Sequence, residues 1–305
     1  MTHSSKARES VTKTFNMAQK SFPLFVKSRA YIEDQFDETY YNRFDAIISS
    51  LGLNDKSSTS SKCIKAFAQY SKEYLVLQAK LIKTGQYINA SYEEVEQQVY
   101  KSALMDDYYL DGLLLSQFLW PNHYRIISYL VNKYEAAGKP DELLDAPCGT
   151  GVQSFFLHQE NSNLHSTLVD LSPSSIDYAT NVLKKGGVKK TQYETHELSI
   201  YALKEDKKYP FIFCGELLEH LEDPENLLKK LQSLLDTEGT LILTTAIFAA
   251  AIDHIYLFTS AEEVTEMLSR YFHVEDELIL PVSLKPHTKG MSHEAMNYVA
   301  TLKHK

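Results

Sequence analysis

Apolar residues over the first 138 positions recur mostly at three- and four-residue steps. Tyr40, Phe44, Ile47, Ile48 and Leu51 make one helix face. The same spacing resumes over residues 64–83, after a polar, serine-rich break at 53–62 that reads as a loop, and Gly85 can close that helix. Residues 15–25 are apolar but irregular. Ser91 and Glu94 make a capping box, because the hydroxyl can accept from the third N–H while the carboxylate reaches back. They predict a helix over 92–105. Residues 110–120 form a dense apolar helix. Pro121 can open the next one at its first turn, and Gly138 with Pro140 stops it.

Beyond Pro140 the pattern alternates. Short β-rich runs at 142–146, 165–170, 192–198, 209–214 and 239–245 predict strands. Helical runs intervene after the Gly turn at 149–151, from Pro173 to the Gly186–Gly187 stop, and over 223–235. A helix over 260–271 carries Glu262 and Glu263 in its first turn, where the helix dipole favours them. Strands at 274–280 and 297–303 close the chain. Such alternation predicts an α/β fold with a doubly wound, mostly parallel sheet. The chain is therefore expected to divide near Pro140 into a helical region, 1–140, and an alternating region, 141–305.

Composition narrows the function classes. The chain has 305 residues, 44% of them hydrophobic, enough for a substantial core. Its formal net charge of −9 works against a broad surface for nucleic acid or anionic membrane. Cys63, Cys148 and Cys214 are odd in number and in no metal spacing, which fits a reducing cytoplasm. The first ten residues lead into no apolar core, so no signal peptide is expected. The longest apolar run, near 241–252, is broken by Thr244 and Thr245 and is too short to span a bilayer.

The chemistry concentrates in the run Leu143-Leu144-Asp145-Ala146-Pro147-Cys148-Gly149-Thr150-Gly151, between a strand and a helix. Gly149 and Gly151 permit a sharp turn and close approach of backbone to ligand. Asp170 ends the next strand about 20 residues on, the spacing at which a carboxylate grips ribose hydroxyls. A dinucleotide fingerprint wants a third glycine where Ser154 stands, and Asp145 would repel pyrophosphate but suits an ammonium. This layout resembles the class I S-adenosylmethionine-dependent methyltransferases, with Pro147 departing from the glycine more common there. Phe211–Pro224, with its Glu-His-x-x-Asp-Pro ending, resembles that family's fourth-strand segment, 239–245 its fifth strand, and the last two strands its terminal antiparallel hairpin. The resemblance covers residues 140–303 and implies a Rossmann-like fold, with 1–140 as a helical cap and substrate lid and 141–305 as the S-adenosylmethionine-binding domain. It implies that Asp145, Ala146, Gly149 and Gly151 hold the methionine portion of S-adenosylmethionine. Asp170 would take the ribose, Leu171 the adenine face, and Glu197 the adenine amino group.

Glu216, Glu219 and His220 stand at i, i+3 and i+4, so on a helix all three would share one face. With His254 they could hold a divalent metal, leaving positions open for substrate oxygens. The Glu-x-x-Glu-His segment resembles the ubiquinone-pathway O-methyltransferases and the small-RNA 3′-terminal 2′-O-methyltransferases. Without a metal, His220 or His254 would act as the base, beside Glu216. Tyr108, Tyr109, Trp120, His123 and Tyr124, in the aromatic clusters of the cap, are expected to line the acceptor pocket, with His287 and His293 on a nearby loop. An enclosed aromatic pocket and an acidic chain favour a small organic acceptor over RNA. The alternatives are an RNA 2′-O-methyltransferase, a non-catalytic protein that retains the cofactor fold and, more distantly, a nicotinamide oxidoreductase.

Overall fold

A computed structural model describes residues 3–53, 57–100, 104–285 and 293–305. The cap contains α1 (His3–Ser21), α2 (Val26–Gln35), α3 (Glu38–Ser50), α4 (Ser58–Thr84), α5 (Tyr92–Val95), α6 (Leu110–Leu119) and α7 (Pro121–Ala136). Local chemistry sets several ends. The Asp37 carboxylate accepts from the N–H of Thr39 before α3, and the Ser57 hydroxyl accepts from that of Ser60 before α4. Gly85 ends α4 in the left-handed conformation.

The helix expected over 92–105 is not continuous. It begins as α5 and widens into a π-helical turn at Glu96–Tyr100. A second π turn, Met105–Tyr109, leads into α6, and residues 101–103 lie outside the described residues. The Ser91 hydroxyl accepts from the N–H of Glu94, but the Glu94 carboxylate takes the N–H of Ala90, one residue earlier than the capping box predicts.

The second part contains β1 (Glu142–Asp145), α8 (Val152–Glu160), β2 (His165–Asp170), α9 (Pro173–Lys185), β3 (Tyr193–Glu197), β4 (Tyr209–Gly215), α10 (Pro224–Leu234), β5 (Leu235–Ile247), α11 (Ala261–Tyr271), β6 (Phe272–Pro281) and β7 (Met296–His304). Its seven strands form one sheet in the order β3-β2-β1-β4-β5-β7-β6. The first five strands of that order run parallel, and β7 is antiparallel to both β5 and β6. The strand order reverses at β1, so the carboxyl ends of β1 and β4 open the crevice where such sheets bind ligands.

The cap helices share a core with the sheet. Phe15, Phe44 and Phe118 belong to one buried cluster with Leu143, Phe155 and Phe211. Phe118 stacks on Phe44 at 4.6 Å and meets Phe156 edge-on at 6.0 Å. The Asn122 amide on α7 donates to Asn297 on β7 at 2.7 Å. No helix among the described residues is long and apolar enough to cross a membrane.

Candidate active site

The Gly149–Gly151 turn bends as its sequence requires. Both glycines have positive φ, 47° and 70°. A Cβ on Gly149 would meet nothing within 4 Å, whereas one on Gly151 would lie 2.7 Å from the Cβ of Ala179. Gly149 therefore keeps the backbone open toward the cavity, and Gly151 lets α9 pack against the turn. Asp170 ties the two strand ends together. One carboxylate oxygen accepts from the N–H of Gly149 at 3.0 Å and the other from that of Ser172 at 2.9 Å. Ala146, Gly149, Asp170 and Leu171 all line the same cavity, and Leu171 is 51% exposed.

Three expected cofactor residues lie off the cavity lining: Asp145, Glu197 and Gly151, which packs against Ala179 of α9. Asp145 is buried beneath the turn rather than on the cavity wall. One of its oxygens accepts from the Ser154 hydroxyl at 2.6 Å, and the other has no hydrogen-bond partner among the described residues. Burial pushes its carboxyl up to about 7, with Ser154 opposing and Asp170 adding to the rise. Glu197 is exposed at the end of β3 and outside the lining, whereas Leu198 and Ser199, just beyond the strand, reach the cavity.

The Glu-x-x-Glu-His segment is not the expected α-helix. The chain leaves β4 through Glu216 at a φ of 50° and makes one 3₁₀ turn, Leu218–His220. Glu216 still meets the Glu219 carboxyl but is held from the other side as well. Its carboxylate accepts from the Thr244 hydroxyl at 2.7 Å and from the Asn297 amide at 2.9 Å. Glu219, His220 and His254 remain together, with one ligand atom from each within 4.8 Å of the others. Glu216 lines the cavity but falls outside this cluster.

Hydrogen bonds fix the roles of these groups. Glu219 is fully buried and accepts from the Thr245 hydroxyl at 2.6 Å and the N–H of Ala246 at 3.2 Å. Burial, then the charge of Glu216, hold its carboxyl well above the usual range. His254 Nδ1 donates to the Ala249 carbonyl at 2.8 Å, and His220 Nδ1 to the Asp253 carbonyl at 3.0 Å. A carbonyl only accepts, so both Nδ1 atoms carry a proton, and in the neutral ring the lone pair sits on Nε2. Burial first, and then His220, push His254 down to about 3, so its ring is neutral at pH 7.

The cap supplies the remaining walls. Tyr109, Trp120 and His123 line the cavity, but Tyr108 and Tyr124 do not. Tyr108 is buried with its hydroxyl on Glu73, and Tyr124 packs on Phe36 and Tyr40 inside the helical core. His287 lies outside the described residues; His293 is described and stacks edge-on against Phe248. The sequence reading missed Tyr70, Glu73, Tyr74 and Leu77 on α4, and Asp253, all of which line the cavity. The i, i+3, i+4, i+7 spacing of the α4 residues was their signal, since it puts a carboxylate in an otherwise apolar stripe.

The profile of the methyltransferase domain family matches residues 138–294, over half of the chain. The chain belongs to this family, within the class I S-adenosylmethionine-dependent methyltransferases. The ubiquinone biosynthesis O-methyltransferase of Coxiella burnetii is 29% identical over 158 residues, which are 52% of this chain and 64% of the relative. The matched part thus spans less than two thirds of that curated relative. Among solved structures, the O-methyltransferase NcsB1 of neocarzinostatin biosynthesis aligns over 83% of this methyltransferase chain and 75% of its own, at TM-score 0.53 and 16% identity. Coclaurine N-methyltransferase aligns over 88% and 95%, at TM-score 0.51 and 14% identity. At these identities the two structures show a shared fold.

Proposed function

We propose that this chain transfers the methyl group of S-adenosylmethionine to an oxygen or nitrogen of a small organic acceptor. One observation carries the reading. A single cavity joins the Gly149 turn and Asp170 to Glu216, His220 and His254, beneath Tyr109 and Trp120 of the cap. The residues fit the cofactor. Gly149 leaves its backbone open, Asp170 stands where ribose hydroxyls would lie, and an ammonium near the turn would keep the half-satisfied Asp145 ionised. When bound, the cofactor supplies a sulfonium methyl already activated for attack.

The chain's own residues then position the acceptor and take its proton. His220 is suited to that task. Its Nδ1 proton is anchored on the Asp253 carbonyl, the Asp253 carboxylate lies 3.6 Å from the same nitrogen, and Nε2 is the proton-accepting atom. Calorimetry with S-adenosylmethionine and S-adenosylhomocysteine tests the assignment. Asp170→Ala weakens both strongly, and unaltered binding would overturn it.

A metal-assisted form of this reading is supported by the cluster of Glu219, His220 and His254. Both histidines give their Nδ1 protons to backbone carbonyls, as metal-binding imidazoles do. These three residues, without Glu216, would hold a divalent ion, which would make an acceptor hydroxyl easier to deprotonate. Metal content lost in Glu219→Ala supports the ion; equal content in wild type and variant removes it. Three free, buried cysteines support a reducing, cytoplasmic setting.

A further inference from the structure

Tyr70, Glu73 and Tyr74 line the same cavity as Tyr109, Trp120 and Asp253. Their rings are connected. Trp120 lies 5.5 Å from Tyr70 and 5.3 Å from Tyr74, and Tyr70 meets Tyr109 edge-on at 5.6 Å. Carboxylates are fixed among them. The Tyr108 hydroxyl donates to Glu73 at 2.8 Å, and the Tyr109 hydroxyl donates to Asp253 at 2.8 Å. The charges of Asp253, Glu216 and Glu73 all reach the Tyr70 hydroxyl and, with burial, keep it protonated.

The sign of the charge is one-sided. Glu73, Asp170, Glu216 and Asp253 line the cavity, and no lysine or arginine does so among the described residues. Burial pushes His123 down to about 4, so it adds no positive charge. A carboxylate or phosphate on the acceptor would enter without a counter-charge, against several groups of its own sign. A neutral phenol would leave these acids uncompensated. A cation would meet both carboxylates and ring faces, the surroundings that attract ammonium groups. Burial also pushes the Glu73 carboxyl up, and a cation beside it returns it to the ionised form.

Resting on the methyl-transfer reading, we propose that the acceptor is an organic amine, admitted as its ammonium ion. The rings of Tyr70, Tyr74 and Trp120 and the carboxylates of Glu73 and Asp253 would hold it. The ammonium passes one proton to His220 Nε2. The freed nitrogen lone pair forms the N–C bond as the C–S bond breaks, and that bond pair stays on sulfur as a neutral thioether. The product is the methylated ammonium, and His220 returns its proton to water.

Calorimetry on the full chain loaded with S-adenosylhomocysteine tests this. The probes are benzyltrimethylammonium, 2-phenylethylamine, 2-phenylethanol and phenylacetate. The two cations are expected to bind at least tenfold more tightly than the alcohol, and phenylacetate not at all. Glu73→Gln, which still accepts from Tyr108, weakens the cations at least threefold and leaves the alcohol unchanged. Trp120→Leu weakens the cations at least fivefold, and both variants keep the wild-type affinity for S-adenosylhomocysteine. Alcohol or phenylacetate binding as tightly as the cations overturns the proposal. So does the absence of cation binding at millimolar concentration while S-adenosylhomocysteine binds, an outcome that spares the methyl-transfer reading. Wild type that fails to bind S-adenosylhomocysteine overturns that reading and the amine proposal with it.

Discussion

His254 Nε2 lies 4.0 Å from Glu219 Oε1, and both side chains are buried. The carboxyl is held by the Thr245 hydroxyl and the N–H of Ala246, while burial and Glu216 push it upward. Thr245→Val removes one bond that favours the ionised form. The variant should lose about 1–3 kcal/mol in urea denaturation, the cost of stripping a buried polar group of a partner. It should also move the acid limb of the pH–rate profile to higher pH, because the carboxyl then ionises later. A limb that stays in place would detach Glu219 from the reaction.

The two histidines should separate in activity. His220→Asn is expected to lower kcat by about 10²–10⁴, the range for losing a proton acceptor. His254, neutral and pushed down to about 3 by burial, should cost less than about tenfold on the same scale when changed to Asn. Equal losses in steady-state assays would favour a shared metal ion over proton transfer to His220.

Asp145 makes folding stability fall as pH rises. Its folded carboxyl is raised to about 7 from 3.8, so the native state binds more protons than the unfolded chain between those values. The stabilising proton is fully present below pH 3.8 and is lost as pH climbs through about 7. Asp145→Asn should therefore gain on wild type between pH 5 and 8, by an amount on the order of 2–4 kcal/mol. Denaturation across that window checks it, and parallel pH curves for the two proteins would refute it.

Gly149 and Gly151 should respond differently to alanine. Both need positive φ, which costs an alanine about 1–2 kcal/mol. Only at Gly151 does the new methyl press on Ala179, adding about 1–3 kcal/mol of overpacking. Thermal unfolding should thus rank Gly151→Ala as the less stable variant, and S-adenosylhomocysteine affinity should fall more at Gly149, whose backbone faces the cavity.

The mostly parallel sheet was legible because strand and helix periods are local signals, and Gly149, Gly151 and Asp170 sit at fixed distances along one βαβ unit; the order of its strands was not read from the sequence. Nor was the placement of Glu216. It does meet Glu219, as a helix reading also implies, but Thr244 and Asn297, from distant strands, hold its carboxylate outside the set formed by Glu219, His220 and His254. Tyr108 and Tyr109 were indistinguishable in sequence. One residue of helical rotation sends the first to Glu73 and the second to Asp253. Tyr70 and Glu73 lie far upstream of the cofactor motif, so no spacing tied them to it.

The loop after β5 is held from outside the sheet. Gln78 bonds both the Phe248 carbonyl and the N–H of Ala250, Tyr87 bonds the Ala249 carbonyl, and Asn89 bonds that of Ile252. Ala249 in turn anchors His254. Mechanically, the loop carrying His254 is shared between the cap and the turn after β4, where the Glu219 carbonyl accepts from the N–H groups of Ile255 and Tyr256. Acceptor choice and reactive geometry would then be inherited as one unit. A chimera that exchanges residues 57–137 with those of another methyltransferase would need residues 248–256 from the same donor to keep the imidazole in place.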